Sequence, residues 1–353
     1  MPNAIEYKCP RCGGRLEFDS ASQRMKCPYC DTSYPVSDFA GVEAQPAPAA
    51  QAQDQAGDGW SAGFGVYHCS SCGAEIIADA STAATHCPYC DNPVILTDRL
   101  SDTLKPDYII PFKIDKKAAK NALREHFHGK KLLPKVFSAE NHLDEIKGIY
   151  VPYWLYDTTA EGSASYRMKN MRSWSDGNYN YTETSNFAAN RAGFASFRKI
   201  PVDASQRMDD EMMESLEAFD FHEAVPFDSA YLSGFFADRF DVTSEQCLQR
   251  VKERAEKSVE DELYSTVKGF SSVHQESCSV ALRNTKVSYA LYPVWILNTT
   301  WRGNKYVFAM NGQTGKFVGN LPVDQGIYWR RRLLYTLCFG GGAYALLWAL
   351  GML

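Results

Sequence analysis

The chain has 353 residues, of which 45% are hydrophobic and 13% aromatic. That is enough for a sizeable core in two or three folding units, and too apolar for a disordered protein. The formal net charge of −5 argues against a dedicated nucleic-acid binder, which needs a positive surplus to displace phosphate counterions. The start, Met1 to Pro10, has no basic stretch followed by an apolar run. No signal peptide is therefore expected, and the N-terminal part is expected in a reducing compartment, where regularly spaced cysteines bind metals rather than form disulfides.

Residues 1–38 hold the first motif: Cys9 and Cys12, fourteen intervening residues, then Cys27 and Cys30. A C-x2-C turn aims two thiolates at one cation, and two such turns close a tetrahedral site with Zn–S near ~2.3 Å and no open position. Gly13 to Phe18, then Met25 and Lys26, read as a short hairpin, so the unit is expected to be a zinc ribbon. So small a unit takes its missing folding energy from the metal. A rubredoxin-like iron site would use the same donors; the spacing favours zinc.

Residues 39–66 are mostly Ala, Gln, Gly and Pro, the composition of a flexible linker, and the first ribbon is expected to move independently on it. Residues 67–98 repeat the first motif sixty positions on, with Cys69, Cys72, Cys87 and Cys90. Tyr7 matches Tyr67, Gly13 matches Gly73, and Cys27-Pro-Tyr-Cys30-Asp31 matches Cys87-Pro-Tyr-Cys90-Asp91. Two structural Zn2+ ions are expected, neither catalytic. Residues 1–35 carry five cations and four acids, for +1; residues 67–98 carry four acids and no Lys or Arg, for −4. An acidic ribbon repels phosphate, so protein contact is the expected use and nucleic acid is not.

Residues 99–327 are expected to form a mainly antiparallel α+β domain. Tyr108 to Ile114 reads as a strand and Lys116 to Phe127 as an amphipathic helix. Segments near 149–168, 178–200 and 278–318 have strand composition. Thr243 or Ser244 caps a helix to about Val267, with Leu248, Val251, Ala255, Val259 and Leu263 at helical spacing. Tyr150-Val-Pro152-Tyr-Trp154 resembles Leu291-Tyr-Pro293-Val-Trp295, consistent with two related halves and equally with chance. The segment from Trp174 to Thr184 suits an exposed hairpin or a recognition surface.

Residues 328–353 are expected to be a membrane anchor. Leu333 to Leu353 is twenty-one residues without a charge, about 31 Å as a helix and long enough for a ~30 Å hydrocarbon core. Arg330, Arg331 and Arg332 flank it and mark the cytoplasmic side. This predicts a single-pass protein of the inner (cytoplasmic) membrane with most of the chain in the cytoplasm. No catalytic residues are expected: Gly312-Gln-Thr-Gly315-Lys316 is too short for a phosphate loop, and H-E-x-x-H and G-x-S-x-G are absent.

Seven segments together resemble the YdjG-like bacterial family of zinc-ribbon membrane proteins of the TFIIB type: YKCPRCGG, HCPYCDNPV, LKPDYIIPFKI, GIYVPYWLYD, NYNYTETS, PVWILNTTW and FAMNGQTGKFVG. The resemblance spans nearly the whole chain. It implies a non-enzymatic adaptor at the bacterial membrane in a phage-shock-type envelope-stress system, with PspA-like, SPFH-domain or other membrane proteins as partners and no known small-molecule substrate. Relatives are often labelled primosomal protein N′ or replication factor Y, so the alternative is a DNA-binding ribbon protein of replication or replication restart. This chain lacks the Walker loop of that helicase.

Overall fold

The computed structural model describes residues 4–40, 64–96, 99–100 and 104–350; most of the expected linker lies outside them. In the first ribbon, β1 (Ala4–Ile5) precedes a three-stranded sheet of β2 (Glu17–Asp19), β3 (Arg24–Lys26) and β4 (Ser33–Tyr34). In the second, β5 (Phe64–His68) pairs with β6 (Glu75–Asp79), and β7 (Thr82–His86) with β8 (Pro93–Leu96). The α+β domain follows as β9 (Tyr108–Ile109), α1 (Lys116–Phe127), α2 (Glu140–Leu143), β10 (Lys147–Ser175), β11 (Asn180–Asp203), α3 (Asp210–Leu216), β12 (Val225–Pro226), β13 (Phe236–Asp238), α4 (Ser244–Ser265), β14 (Ser272–Trp301), β15 (Asn304–Asn311) and β16 (Phe317–Gly319).

These units are not beads on a string. One eleven-stranded sheet runs β1-β8-β7-β13-β10-β14-β15-β16, with β11, β9 and β12 attached to its sides. The second ribbon enters it through β7, whose Ala84 pairs with Ala237. The first ribbon enters through β1, whose Ile5 pairs with Ile95. Ile5, Tyr7, Leu16, Phe18 and Met25 share one buried core with Phe112, Tyr150, Phe235 and Trp295. The expected independence of the first ribbon therefore does not hold: its outward apolar side chains are covered by the α+β domain.

The YVPYW and LYPVW motifs meet in the antiparallel β10–β14 ladder, Tyr150 opposite Pro293 and Pro152 opposite Leu291. Proline has no N–H to give a ladder, and each sits where its strand changes neighbour. Pro152 lies between the β13 pairs, ending at Tyr150, and the β11 pairs, starting at Tyr153; Pro293 lies between the β9 pairs, ending at Leu291, and the β15 pairs, starting at Val294. Each prolyl carbonyl accepts a loop N–H, from Ala204 at 2.9 Å and Gly312 at 2.8 Å. Trp154 donates to the Val242 carbonyl and Trp295 to the Ile114 carbonyl, both at 2.9 Å. Those carbonyls directly precede the N-caps of α4 and α1, Thr243 and Asp115. Each half is thus a short parallel strand, a capped helix and a long strand, and the two are related by an approximate two-fold through the ladder.

Beyond this base, β10, β11 and β14 continue as a three-stranded arm. β10 alone has 29 residues, about 95 Å at ~3.3 Å per residue. Along one face lies α4, where Ala255, Val259 and Leu263 pack on Ala160, Ala164 and Met168. The arm ends in the turn between Ser175 and Asn180, where Trp174 stacks on Tyr181 at 5.6 Å.

The C-terminal expectation is corrected here: among the described residues no helix is long and apolar enough to cross a membrane. α5 (Gln325–Ala349) has 25 residues, but it opens on a polar segment containing all three arginines. In the apolar run that follows, Tyr335, Thr336 and the three glycines Gly340, Gly341 and Gly342 dilute the hydrophobic character. The transmembrane helix and the single-pass inner-membrane placement are withdrawn. The anchoring role given to Arg330, Arg331 and Arg332 goes with them; Arg332 instead lies over the Trp329 ring at 5.0 Å.

Candidate metal centres

Each ribbon brings its four cysteines together, so that the sulfurs of Cys9, Cys12, Cys27 and Cys30, and those of Cys69, Cys72, Cys87 and Cys90, all lie within 4.8 Å of one another. The Cys9–Cys30 and Cys12–Cys27 sulfurs are 3.7 and 3.5 Å apart, and the Cys69–Cys90 and Cys72–Cys87 sulfurs 3.6 and 3.7 Å. A tetrahedron with Zn–S of ~2.3 Å has sulfurs about 3.8 Å apart. Both sites therefore fit a zinc ion with all four positions filled by protein.

The knuckles show how the sequence makes this geometry. The first turn of each ribbon ends on a glycine in the left-handed region, Gly13 at φ 73° and Gly73 at φ 75°. The second ends on an aspartate there, Asp31 at 53° and Asp91 at 57°; aspartate tolerates this conformation better than most residues. The bonds match one for one: Gly13 and Gly73 each donate to a cysteine carbonyl at 2.8 Å, and Asp31 and Asp91 do so at 3.0 and 2.9 Å. The turns also point N–H groups at sulfur, from Arg11 and Cys12 to Cys9 and from Ser71 and Cys72 to Cys69.

Four thiols in contact cannot all ionise without a cation. In the first site the Gly14 N–H lowers the Cys12 pKa, yet its bonds with Cys27 and Cys30 leave it pushed up to about 12, while the Thr32 hydroxyl and N–H draw Cys30 down to about 6. In the second, burial pushes Cys69 up to about 12; Cys87 falls to about 7 because the N–H groups of Tyr89 and Cys90 outweigh its burial. A divalent ion removes this competition by holding every sulfur as thiolate.

Several residues around the sites carried no sequence signal. Thr32 Oγ1 lies 3.3 Å from Cys30 Sγ, and Tyr34 Oη 3.8 Å from Cys9 Sγ. Glu6 of the first ribbon reaches the second site: its Oε1 is 3.7 Å from Cys69 Sγ, and Ser71 and Asn92 hold it at 2.8 and 3.2 Å. Arg15 donates to the Asp91 carbonyl at 2.8 Å, a second tie from the first ribbon to the second.

The surfaces around the centres are partly apolar. Tyr29 and Tyr89 occupy the same place in the two second knuckles and are 67% and 75% exposed. Val66 and Ile77 are cross-strand neighbours on β5 and β6, 49% and 71% exposed. Of the four acids counted in the second ribbon, Asp79 is taken up by Arg207.

A family model described as Trm112p-like protein matches residues 8–38, the first ribbon. The uncharacterized protein YdjG of Bacillus subtilis (strain 168) is 34% identical over 322 residues, which is 91% of this chain and 91% of that one. No solved structure matches.

Proposed function

The chain belongs to the family of Bacillus subtilis YdjG, and on that premise we propose that it is a zinc-ribbon adaptor that docks other proteins and catalyses no reaction. The observation that carries this reading is the exposed apolar pair Val66 and Ile77 on the second ribbon, which also presents Tyr89. Both zinc sites are closed by four cysteines, so the metal offers no open position for chemistry and serves to fix the surface of each ribbon. The acidic character of the second ribbon suits a partner with a basic patch. The family resemblance suggests PspA-like or SPFH-domain proteins of a phage-shock-type stress system as that partner.

The test is affinity purification of the full chain from bacterial cells, beside an Ile77→Asp/Tyr89→Ala variant with its zinc content verified. Recovery of a PspA-like or SPFH-domain protein with the wild type, and its loss with the variant, supports the proposal. Recovery of replisome proteins would replace it with the DNA-associated reading. That reading further requires an affinity for DNA that falls steeply with salt.

A further inference from the structure

The arm has two long strand edges, and they are built differently. On β14 the ladder with β10 shifts register at Asp157/Thr159 and again at Ser165/Tyr166, and the outer half of the strand carries Arg283 and Lys286. Irregularity and edge cations are the usual guards against pairing with another chain. On β11 the irregularity is missing and the edge carries a single cation, Arg191. From Thr158↔Phe197 to Ser175↔Asn180 the pairs follow without a shift, leaving an outer edge of eighteen residues that contains no proline and no lysine. Phe187 and Phe194 are 44% and 79% exposed there.

The side chains along this edge are self-complementary. Phe187 lies opposite Met168, which is buried beneath α4, so Glu183, Phe187 and Arg191 share that face by strand alternation. Arg191 confirms the face by donating to Thr266, the C-cap of α4, at 3.1 Å. Among the described residues neither Glu183 nor Arg191 has an ion-pair partner. An antiparallel copy of β11 centred on Phe187 sets Phe187 against its own copy and Glu183 against the copy's Arg191, twice over.

We propose that the β11 edge is a homodimer interface, in which two arms pair antiparallel about Phe187 into a continuous six-stranded sheet. The neighbouring parts leave room for it. α4 ends at Thr266, beside Arg191, and runs back toward the base. In the dimer the copy's Glu183 stands beside Arg191, so the two helices occupy successive stretches of the sheet and never lie abreast. The copy's turn, at Gly177, comes to rest beside Phe197, just short of Ile200 where the buried base begins. Fifteen residues from each chain, Asn180 to Phe194, enter the new ladder. The interface is independent of what the ribbons bind.

The experiment is sedimentation of the full zinc-loaded chain as wild type, Glu183→Arg, Arg191→Glu and the double variant Glu183→Arg/Arg191→Glu, each checked for fold by circular dichroism. Like charges directly across a ladder are destabilising, and each single variant creates two such pairs, so each is expected to weaken the dimer by about tenfold. The double variant restores opposite charges and is expected to return to wild-type association. A wild type that stays monomeric at tens of micromolar overturns the proposal, as does a dimer indifferent to the single variants, or a double variant no better than the singles. Independently, oxidation of Phe187→Cys should yield a 187–187 interchain disulfide peptide by mass spectrometry. Its absence rules out this register.

Discussion

At the scale of single residues, each metal site stands or falls by its own four thiols. Cys9→Ser and Cys69→Ser should each lower bound zinc from two ions per chain to about one, read by elemental analysis; loss of both ions from either change would contradict two separate sites. A second residue-level expectation concerns Asp238. Burial pushes its carboxyl up to about 6 against the pull of Arg207. Asp79, on the same guanidinium, falls to about 2 because Arg207, Thr82 and Ser81 outweigh its burial. A carboxyl raised in the fold binds more protons folded than unfolded between its ordinary ~3.9 and about 6, so Asp238 removes stability as pH rises through that window. Asp79 acts in the opposite sense, and its contribution is lost as pH falls from ~3.9 toward 2. Asp238→Asn should therefore gain on wild type between pH 4 and 6, by up to about 3 kcal/mol at ~1.4 kcal/mol per pKa unit, in urea titrations across that range. A constant difference between variant and wild type would refute this. The eight cysteines were legible because a metal needs fixed spacing in the chain itself. Glu6, which sits on the second site from 63 residues away, was not, because only the fold brings it there.

At the scale of elements, α4 meets the arm at a position with no spare volume. A Cβ at Gly162 would collide with Val259 Cγ1 and come within 3.5 Å of Leu263 Cδ1. Gly162→Ala should destabilise the chain by about 1–3 kcal/mol through overpacking, and adding Val259→Ala should recover most of it. Thermal unfolding of the two variants decides this; equal loss in both would mean that the helix is not what Gly162 touches. Much of α4 could be read in advance, since Thr243 and Gln246 form a capping box and the buried face repeats at helical spacing. The strands were found but cut short. The reading of the first stops near 168, because Lys169 to Ser175 mix polar residues with Met171 and Trp174 and lie largely exposed on the outer arm; what makes them strand is the ladder with β11, a partner that composition does not reveal. The two proline motifs were legible as a likeness, but their meaning, a pair of strand-switching points facing each other, needed the register.

At the scale of the whole molecule, the ribbons are part of the main core rather than tethered modules. Phe18 donates its N–H to the Ser233 carbonyl at 2.9 Å, Ser233 donates back to the Leu16 carbonyl at 2.7 Å, and Tyr7 shares a 2.6 Å hydrogen bond with Ser229. Removing zinc with a strong chelator should therefore lower the unfolding temperature of the α+β domain too, as one transition in calorimetry. Two resolved transitions, the larger unmoved, would show that the ribbons unfold alone. Composition misled at this scale: an Ala/Gln/Pro-rich linker suggests freedom, but Ile5, Tyr7, Leu16 and Phe18 are buried and hold their ribbon whatever the linker does. The uncharged C-terminal run misled in the same way, since charge-free sequence by itself does not make a helix apolar enough to span a bilayer.

The arm also changes how this protein travels. About 60 Å of it, from Asp157 to Ser175, projects past the base. A compact chain of this length would have a radius of gyration of roughly 20 Å. Such a shape drags more solvent than a sphere of equal mass, rotates slowly end over end and quickly about its long axis, and sweeps its aromatic tip through a volume far larger than its own.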